Sequence, residues 1–443
     1  MMRIIKNIVC LGLLICNCIV FAQEKNVFLD RAYWKSNPSL DQVKEKIKEG
    51  HDATKLNKFQ FDAVSWALIE KVDNETVKYL LGLEGNDVNK LTHDARTYIF
   101  WAAYRDNLEI MQYLVDKGAK TDIVDSHGYS LLNFSAVTGQ INPKLYDFCI
   151  AHGSKVTQEK NHDGANPLLL VAPFIRDYAL IEYFTSKGID LKSTDDLGNG
   201  IFHYAAKRGN EELMDYLIKI GLPYKYLNKE GANAMIFASQ GTRLHTNPVA
   251  TFQYLEKLGI SPNIVTQKGI TPLHALASKA KDNEVLEYFL SKGVSINHQD
   301  DEGKSALTKT ISNGSLERIN FLISKGADVL VKDKKGNNLG YYLLTGFSRN
   351  KVEMFDQKMA ILLKGGFDPK QAQKNGNTLV HLAVEQNNLE LLKKVSAYGI
   401  DINTKNKEGV TALHTAAMKE HDAKILKYLI ANGAYKEVKT AFE

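Results

Sequence analysis

The sequence has few cysteines, and their positions exclude two kinds of stabilising site. Of four cysteines in 443 residues, Cys10, Cys16 and Cys18 fall near the N-terminus, which leaves only Cys149 beyond them. A lone cysteine cannot close an internal disulfide or supply a cysteine-based metal site. Cys149 precedes Ile150 in an apolar segment, which predicts a buried and inert thiol, with a reactive thiol as the alternative.

A strong excess of charge of one sign is also absent. The formal net charge is +5, and it falls to about +3 when Arg3 and Lys6 near the N-terminus are left out. Because the charges are interspersed, nothing indicates a nucleic-acid-binding stripe or a polybasic membrane patch. Beyond residue 22, no segment is long and apolar enough to predict a membrane span.

The motifs of common catalytic and cofactor sites are missing. The chain has no G-x-S-x-G, no phosphate-binding P-loop, no H-E-x-x-H and no C-x-x-C. Acid pairs such as Asp195-Asp196 and Asp300-Asp301 stand at turn positions, where Asp commonly closes its own backbone turn. The sequence therefore predicts no catalytic residue, no metal site and no cofactor, and a protein that is not an enzyme.

The N-terminal segment, residues 1–22, has the pattern of a secretory signal peptide. Arg3 and Lys6 precede a short apolar run, and Val20-Phe-Ala22 offers small residues at the spacing of a cleavage site. This pattern predicts cleavage before Gln23 and a periplasmic or secreted mature protein. A retained membrane anchor is the alternative.

Glycine recurs along the rest of the chain in two series that run in phase, with a period of about 33 residues. The first series is Gly128, Gly164, Gly198, Gly231, Gly269, Gly303, Gly336, Gly376 and Gly409. The second is Gly50, Gly85, Gly118, Gly153, Gly188, Gly221, Gly259, Gly293, Gly326, Gly366, Gly399 and Gly433. Such a period predicts a stacked array of helical units.

The residues that follow the first glycine series identify the kind of unit. Gly269-Ile-Thr-Pro-Leu-His274 and Gly409-Val-Thr-Ala-Leu-His414 resemble the T-P-L-H stretch of the ankyrin repeat. The resemblance implies an all-α solenoid of helix-turn-helix units with short β-hairpin turns, about 11 or 12 repeats long. It divides the chain into an N-terminal capping helical unit over residues 23–58 and an array over residues 59–440.

Four histidines fall five residues after a repeat glycine. They are His203, His274, His381 and His414. The resemblance implies a structural role, in which each ring bonds backbone groups and ties one turn to its neighbour. Metal or haem ligation is the alternative, but the four belong to separate units and none has a second histidine at helical ligand spacing.

The position after each histidine is often aromatic. In chain order it holds Trp101, Phe134, Leu170, Tyr204, Phe237, Ala275, Lys309, Tyr342, Leu382 and Thr415. In ankyrin repeats this part of the first helix faces a concave groove, and aromatic and Arg residues are favoured at binding hot spots. The predicted partner-contacting residues are Trp101, Tyr104, Arg105, Tyr204, Arg208 and Tyr342. The alternative is that these rings only pack between helices.

Two insertions, at residues 242–249 and 346–358, lengthen the period. Both fall between the two helices of a unit, where they provide either a second contact surface or only a tolerated longer loop.

The resemblance implies a scaffold that binds another protein through its concave groove. Together with the signal-peptide pattern, it predicts an exported protein, and we expect a monomer. Two other functions remain open. One is an effector or toxin antagonist that captures a foreign protein. The other is an enzyme-accessory or cofactor-carrier protein, such as one associated with a catalase.

Overall fold

The structure is a computed structural model that describes residues 26–348, 352–419 and 423–437. The predicted signal peptide lies outside the described residues, as does part of the second predicted insertion. The chain divides into two compact units, residues 1–127 and 128–443, which are treated separately below.

The first unit contains three pairs of α-helices in its described residues. They are α1 (Arg31–Lys35), α2 (Leu40–Lys48), α3 (Ala63–Glu70), α4 (Asn74–Leu81), α5 (Tyr98–Tyr104) and α6 (Leu108–Asp116). Short 3-10 turns at Val27–Leu29 and His93–Ala95 precede α1 and α5.

The second unit contains nine further pairs among the residues that the structure describes. The first five are α7 (Leu131–Val137), α8 (Pro143–Ala151), α9 (Pro167–Val171), α10 (Ala179–Ser186), α11 (Ile201–Ala206), α12 (Glu211–Lys219), α13 (Ala234–Gln240), α14 (Val249–Lys257), α15 (Pro272–Leu276) and α16 (Glu284–Ser291). The last four are α17 (Ala306–Ile311), α18 (Leu316–Ser324), α19 (Leu339–Thr345), α20 (Val352–Lys364), α21 (Leu379–Glu385), α22 (Leu389–Ser396), α23 (Ala412–Met418) and α24 (Ala423–Ala431). A 3-10 turn, Ala172–Phe174, extends α9. The twelve pairs confirm the predicted all-α repeat fold.

Polar side chains start the helices at the predicted positions. Thr271, Thr378 and Thr411 are the N-cap residues of α15, α21 and α23, where each forms a capping box with the histidine three residues later. Each box satisfies backbone N–H groups that the first helical turn leaves without partners.

The predicted hairpins are present as tight turns. No β-strand forms within the described ranges, and the turns are instead closed by backbone bonds across four residues, such as Asp195 N–H to the Asn199 carbonyl at 3.1 Å. Neighbouring turns of the second unit are joined at their tips, as by the Asp196 N–H, which donates to the Asp163 carbonyl at 2.9 Å. These bonds set the spacing of the stacked units.

The stacked first helices are buried on most sides. Every residue of α11 is buried, because α11 lies between its neighbours α13 and α9 and against its own partner α12. The second helices bury one apolar face, where for example Phe252 and Phe289 meet edge to face with ring centroids 4.9 Å apart. Exposure of the first helices therefore begins just beyond their C-terminal ends, as at Lys207 and Arg208.

The two insertions have different structures. The first is a compact loop over residues 242–248, because α14 begins at Val249, and it is closed by two backbone bonds between Thr242 and His245, at 3.0 and 3.2 Å. The second is partly helical, because α20 already begins at Val352 and runs for 13 residues. The placement of residues 346–358 between the two helices is therefore wrong for its second half, which belongs to α20.

Both glycine series adopt positive φ. Comparing Gly303 with Gly326 separates the two reasons for a glycine, which are the left-handed backbone and the lack of space for a Cβ. A Cβ on Gly303 (φ 78°) would lie 2.6 Å from the Lys334 nitrogen, whereas a Cβ on Gly326 (φ 91°) would meet no atom within 4 Å. The Gly326→Ala substitution is expected to lower the free energy of unfolding by about 1 kcal/mol, from the left-handed backbone alone. Gly303→Ala is expected to cost at least about 1 kcal/mol more, because it also displaces the Lys334 N–H from the Glu302 carbonyl.

Urea unfolding of the two glycine variants beside the wild type measures this difference. Equal losses of stability would show that contact between neighbouring turns does not select the first glycine series.

Candidate functional site

The aromatic position on the first helices is tied to the turn that precedes it. In each of three repeats, a side chain at this position bonds the carboxylate nine residues earlier. The pairs are Tyr204 Oη with Asp195 at 2.9 Å, Lys309 Nζ with Asp300 at 2.8 Å and Tyr342 Oη with Asp333 at 2.6 Å. In the first unit, Trp101 Nε1 likewise donates to the Thr92 hydroxyl, at 2.7 Å. The position therefore has a structural role.

The charge of the turn residue matches the side chain that stands nine residues later. In the second unit, where the turn residue is neutral, the position nine residues later carries no ammonium or phenol group. These neutral pairs are Asn161 with Leu170, Asn228 with Phe237, Thr266 with Ala275, Gln373 with Leu382 and Asn406 with Thr415. The remaining acid, Asp125 of the first unit, is bonded by Arg96, whose Nη2 lies 2.7 Å from it. A buried carboxylate needs a donor, and a buried amide oxygen does not need a cation.

Two of the predicted partner-contacting residues are almost completely covered. Trp101 and Tyr204 are each 5% exposed, so little of either ring is available to a partner. Tyr342 is partly exposed, although its hydroxyl is bonded to Asp333. That these three rings contact a partner stays a prediction, and their bonds to the turns are the role that the geometry supports.

The other predicted residues lie at equivalent, partly exposed positions. Tyr104 and Arg105 end α5 in the first unit, where the guanidinium stacks 4.7 Å from the Tyr104 ring centroid. Arg208 follows α11 in the second unit and stacks 5.0 Å from the Phe174 ring centroid. Each of the two compact units thus contains one aromatic–arginine pair, at the C-terminal end of α5 in the first and of α11 in the second.

A small cavity in the second unit was not predicted. It has a volume of about 220 Å³ and is lined by Tyr204, Lys207, Phe237 and Gln240, together with residues of four neighbouring turns. The ammonium group of Lys207 lies 4.7 Å from the Tyr204 ring centroid and 5.2 Å from that of Phe237. Burial lowers the pKa of Lys207, while Asp163 and Asp195 act in the opposite direction. In the sequence, the signal for this cavity was a lysine, Lys207, three residues after the aromatic Tyr204.

Two of the four repeat histidines each connect one repeat to the next within the second compact unit. Nδ1 of His274 accepts from the Thr271 N–H at 3.2 Å, and its Nε2–H donates to the Lys304 carbonyl at 3.0 Å. His381 makes the same two contacts, with Thr378 at 3.2 Å and Val410 at 3.1 Å. Burial lowers the pKa of His274 to about 4, so the ring is neutral at physiological pH.

The other two repeat histidines, His414 and His203, differ in which of these two hydrogen bonds they form. Nδ1 of His414 lies 3.1 Å from the Thr411 nitrogen. His203 is fully buried, and neither of its ring nitrogens has a hydrogen-bond partner within the described part of the chain. Gly200 stands where the repeats of His274, His381 and His414 have Thr, and its N–H donates instead to the Tyr226 hydroxyl at 2.9 Å. The His203 ring therefore packs edge to face against Tyr226 and Phe237.

Groups that could support other chemistry are sparse in the described residues. Cys149 is buried, and desolvation raises the pKa of its thiol to about 12, which makes it a poor nucleophile at neutral pH. No group of three or more metal-ligating side chains occurs among the residues that are described. Within those same ranges, no helix has both the length and the hydropathy to cross a membrane.

Comparison with known proteins connects this geometry to a family. The family model of ankyrin repeats (3 copies) matches residues 63–160, 244–333 and 353–440, which is more than half of the chain. Alpha-latroinsectotoxin-Lt1a of Latrodectus tredecimguttatus is 25% identical over 300 residues, which cover 58% of this chain and 20% of the toxin. Transient receptor potential cation channel subfamily A member 1 of Homo sapiens is 23% identical over 386 residues, which cover 85% of this chain and 31% of the channel.

Among solved structures, the ankyrin repeat domain of Bcl-3, a unique member of the IkappaB protein family, is similar with a TM-score of 0.38 and 20% identity. That match covers 53% of this chain and 99% of the Bcl-3 domain. The chain spans less than a third of the length of the toxin and of the channel.

Proposed function

The chain belongs to the ankyrin-repeat family, and we propose on that basis that it is an exported scaffold that binds another protein. Ankyrin repeats generally mediate protein–protein interaction, through extended surfaces that stacked units create. The proposed binding surface consists of the partly exposed ends of the first helices and the adjoining turns. A monomer suffices for this role, because each unit carries its own part of the surface.

The observation that carries the proposal is an aromatic–arginine pair at the C-terminal end of a first helix, found once in each of the two compact units. The buried parts of these helices are occupied by contacts with neighbouring turns and helices, so they are committed to the fold. Tyr104 with Arg105 in the first unit, and Arg208 over Phe174 in the second unit, remain partly exposed. Aromatic and Arg side chains that are already held in place bind with little loss of side-chain entropy.

Export is supported by the basic, then apolar, then small-residue pattern of residues 1–22. Mass spectrometry of the protein from an extracytoplasmic fraction is expected to find a chain that begins at Gln23. An intact N-terminus, or recovery only from the cytoplasm, would overturn this part of the proposal.

Partner capture tests the binding function. The tagged protein is isolated from the cells that produce it, and bound proteins are identified and quantified by mass spectrometry. The double substitution Tyr104→Ala/Arg208→Ala is expected to reduce capture of the specific partner at least tenfold, as loss of two hot-spot residues would. The matched control, Tyr113→Ala/Lys187→Ala, removes one aromatic from the second helix α6 and one cation from the residue that follows the second helix α10, and it is expected to leave capture within twofold.

Thermal unfolding of each variant accompanies the capture experiment. Equal capture by both double variants at equal melting temperature would contradict the assignment of binding to the first-helix ends.

A further inference from the structure

We propose that a groove in the second unit, called the Phe174 groove below, binds one carboxylate side chain, Asp or Glu, of the partner protein through Arg176 and Arg208. This inference rests on the proposed function and names the chemistry of one contact within it. Three observations support it: a guanidinium that is held in place, a second arginine in the same lining, and the balance of charge around both.

The Phe174 groove is built from the turns between the two helices of three consecutive repeats. Ile141 lies in the turn after α7, residues 173–176 lie in the turn after α9, and Arg208 lies in the turn after α11. Ile141 is 43% exposed and Phe174 is partly exposed, so the floor of the groove offers apolar surface to a partner. The volume of about 390 Å³ is within the range of ligand sites, about 300 to 1,000 Å³.

The Phe174 ring holds the guanidinium of Arg208 in place. A Cβ on Gly139 would lie 2.5 Å from Phe174 Cδ1, so the ring packs where only glycine leaves room for it. Arg208 stacks on this ring, and the Asn210 amide ties the same turn to α12 by donating to the Ile175 carbonyl at 2.5 Å. A guanidinium that is held by its face keeps its N–H donors, which lie in its plane, for a bidentate acceptor.

Neither arginine of the lining is satisfied by the described part of the chain. The side chains of Arg176 and Arg208 form no hydrogen bond there, and no described carboxylate lies within 4 Å of either guanidinium. A guanidinium has five N–H donors and no acceptor, so both groups depend on water or on a partner. Two such groups in one lining favour an anion in place of that water.

The charges of the lining favour a single carboxylate. Arg176 and Arg208 supply two positive charges and Glu212 supplies one negative charge, which leaves one positive charge to be balanced. Glu212 lies in the first turn of α12, where the helix dipole stabilises a carboxylate without a paired cation. A phosphate group, with up to about two negative charges, would exceed the balance and be repelled by Glu212. A partner segment with an apolar residue beside its acid would also cover Ile141 and Phe174.

Fluorescence anisotropy at low salt, with the full chain and a labelled hexapeptide of alternating Leu and Glu, tests this inference. A hexapeptide of alternating Leu and Gln is expected to bind at least tenfold more weakly, because it lacks the charged acceptors. The substitution Arg176→Met/Arg208→Met keeps an apolar stem over Phe174 and is expected to weaken binding of the Glu peptide at least tenfold. The control, Arg243→Met/Lys219→Met, removes two exposed cations that do not line the groove and is expected to change binding less than twofold.

Thermal unfolding is expected to place both double variants within about 2 °C of the wild type, because the four side chains lie at least partly at the surface. Equal affinity for the two peptides, binding of neither peptide, or equal weakening by both double variants would overturn the inference.

Two further outcomes distinguish the source of the anion and the level at which the account fails. Tighter binding of a hexapeptide of alternating Leu and phosphoserine than of the Glu peptide, lost in Arg176→Met/Arg208→Met, would overturn the inference, because the groove would then select a phosphate. Retained capture of the partner by this variant, with loss in Tyr104→Ala/Arg208→Ala, would reject the carboxylate contact and leave the proposed function standing.

Discussion

The Lys309→Leu substitution is expected to lower the free energy of unfolding by about 3 kcal/mol, and Asp300→Asn in the same chain is expected to restore most of that loss. Lys309 lies 2.8 Å from Asp300, whose side chain is 3% exposed. Removing the cation leaves a buried carboxylate without its charged partner, which is among the most destabilising single changes. Leucine at this position is already compatible with the fold, because Leu170 occupies it in another repeat.

The rescue is expected because asparagine reproduces the backbone bonds of the aspartate. Oδ1 of Asp300 accepts from the Glu302 and Lys304 N–H groups at 3.0 and 2.9 Å. Oδ1 of Asn228 accepts the equivalent pair at 2.9 and 2.8 Å, with Phe237 nine residues later.

Urea unfolding of the two single variants and the double variant gives the coupling free energy between Lys309 and Asp300. The sign of the pH dependence is a second readout. Burial alone would raise the pKa of Asp300, but Lys309 and backbone N–H groups outweigh it and hold the pKa below its ordinary value. The stabilisation is therefore present at neutral pH and is lost as pH falls through that lowered pKa. Additive effects of the two substitutions would contradict the matching of turn residue and partner.

The His203→Leu substitution is expected to be neutral or stabilising at pH 7, whereas His274→Leu is expected to lower the free energy of unfolding by about 2 to 3 kcal/mol. Leucine leaves the Lys304 carbonyl and Thr271 N–H without the partners that His274 provides, and unpaired buried groups are costly. His203 has no such bond to lose within the described chain, and burying an unbonded polar ring is itself unfavourable.

The two variants are also expected to differ in acid. Burial lowers the pKa of His203 to about 4, against about 6.5 in an unfolded chain. Between these values the unfolded state binds the extra proton, so the stability of the wild type falls as pH falls, by up to about 2 kcal/mol at pH 5 from this residue alone. His203→Leu should therefore gain stability relative to the wild type on going from pH 7 to pH 5. Parallel stability curves for wild type and His203→Leu would show that the His203 ring is hydrated or bonded.

The repeat fold was predictable because its signals are local. A glycine that must adopt positive φ, and a Thr that caps a helix, are recognisable from a few neighbouring residues, and Gly303 and Thr271 both behave as the sequence indicates. The departure at His203 also had a local signal, since Gly200 replaces the capping Thr. Without a Thr at residue 200, the capping box cannot form, and Nδ1 of His203 lacks the contact that the other three histidines make.

The candidate site was less predictable because its residues act across larger separations. Tyr204 was predicted to contact a partner, but its hydroxyl donates to Asp195, which lies in the turn nine residues earlier. The cavity at Lys207 depends on Phe237 and Gln240 of the next repeat. Hydrophobic periodicity places such residues on the correct helix, but it does not reveal which polar groups are already bonded.

The affinity of the captured partner for the purified chain, measured by isothermal titration calorimetry, tests the central claim of binding through the first-helix ends most directly. Tyr104→Ala/Arg208→Ala is predicted to weaken binding at least tenfold, with a melting temperature within about 2 °C of the wild type. Tyr113→Ala/Lys187→Ala is predicted to bind as the wild type does. Undiminished affinity of the first variant, or a larger loss in the second, would contradict the claim.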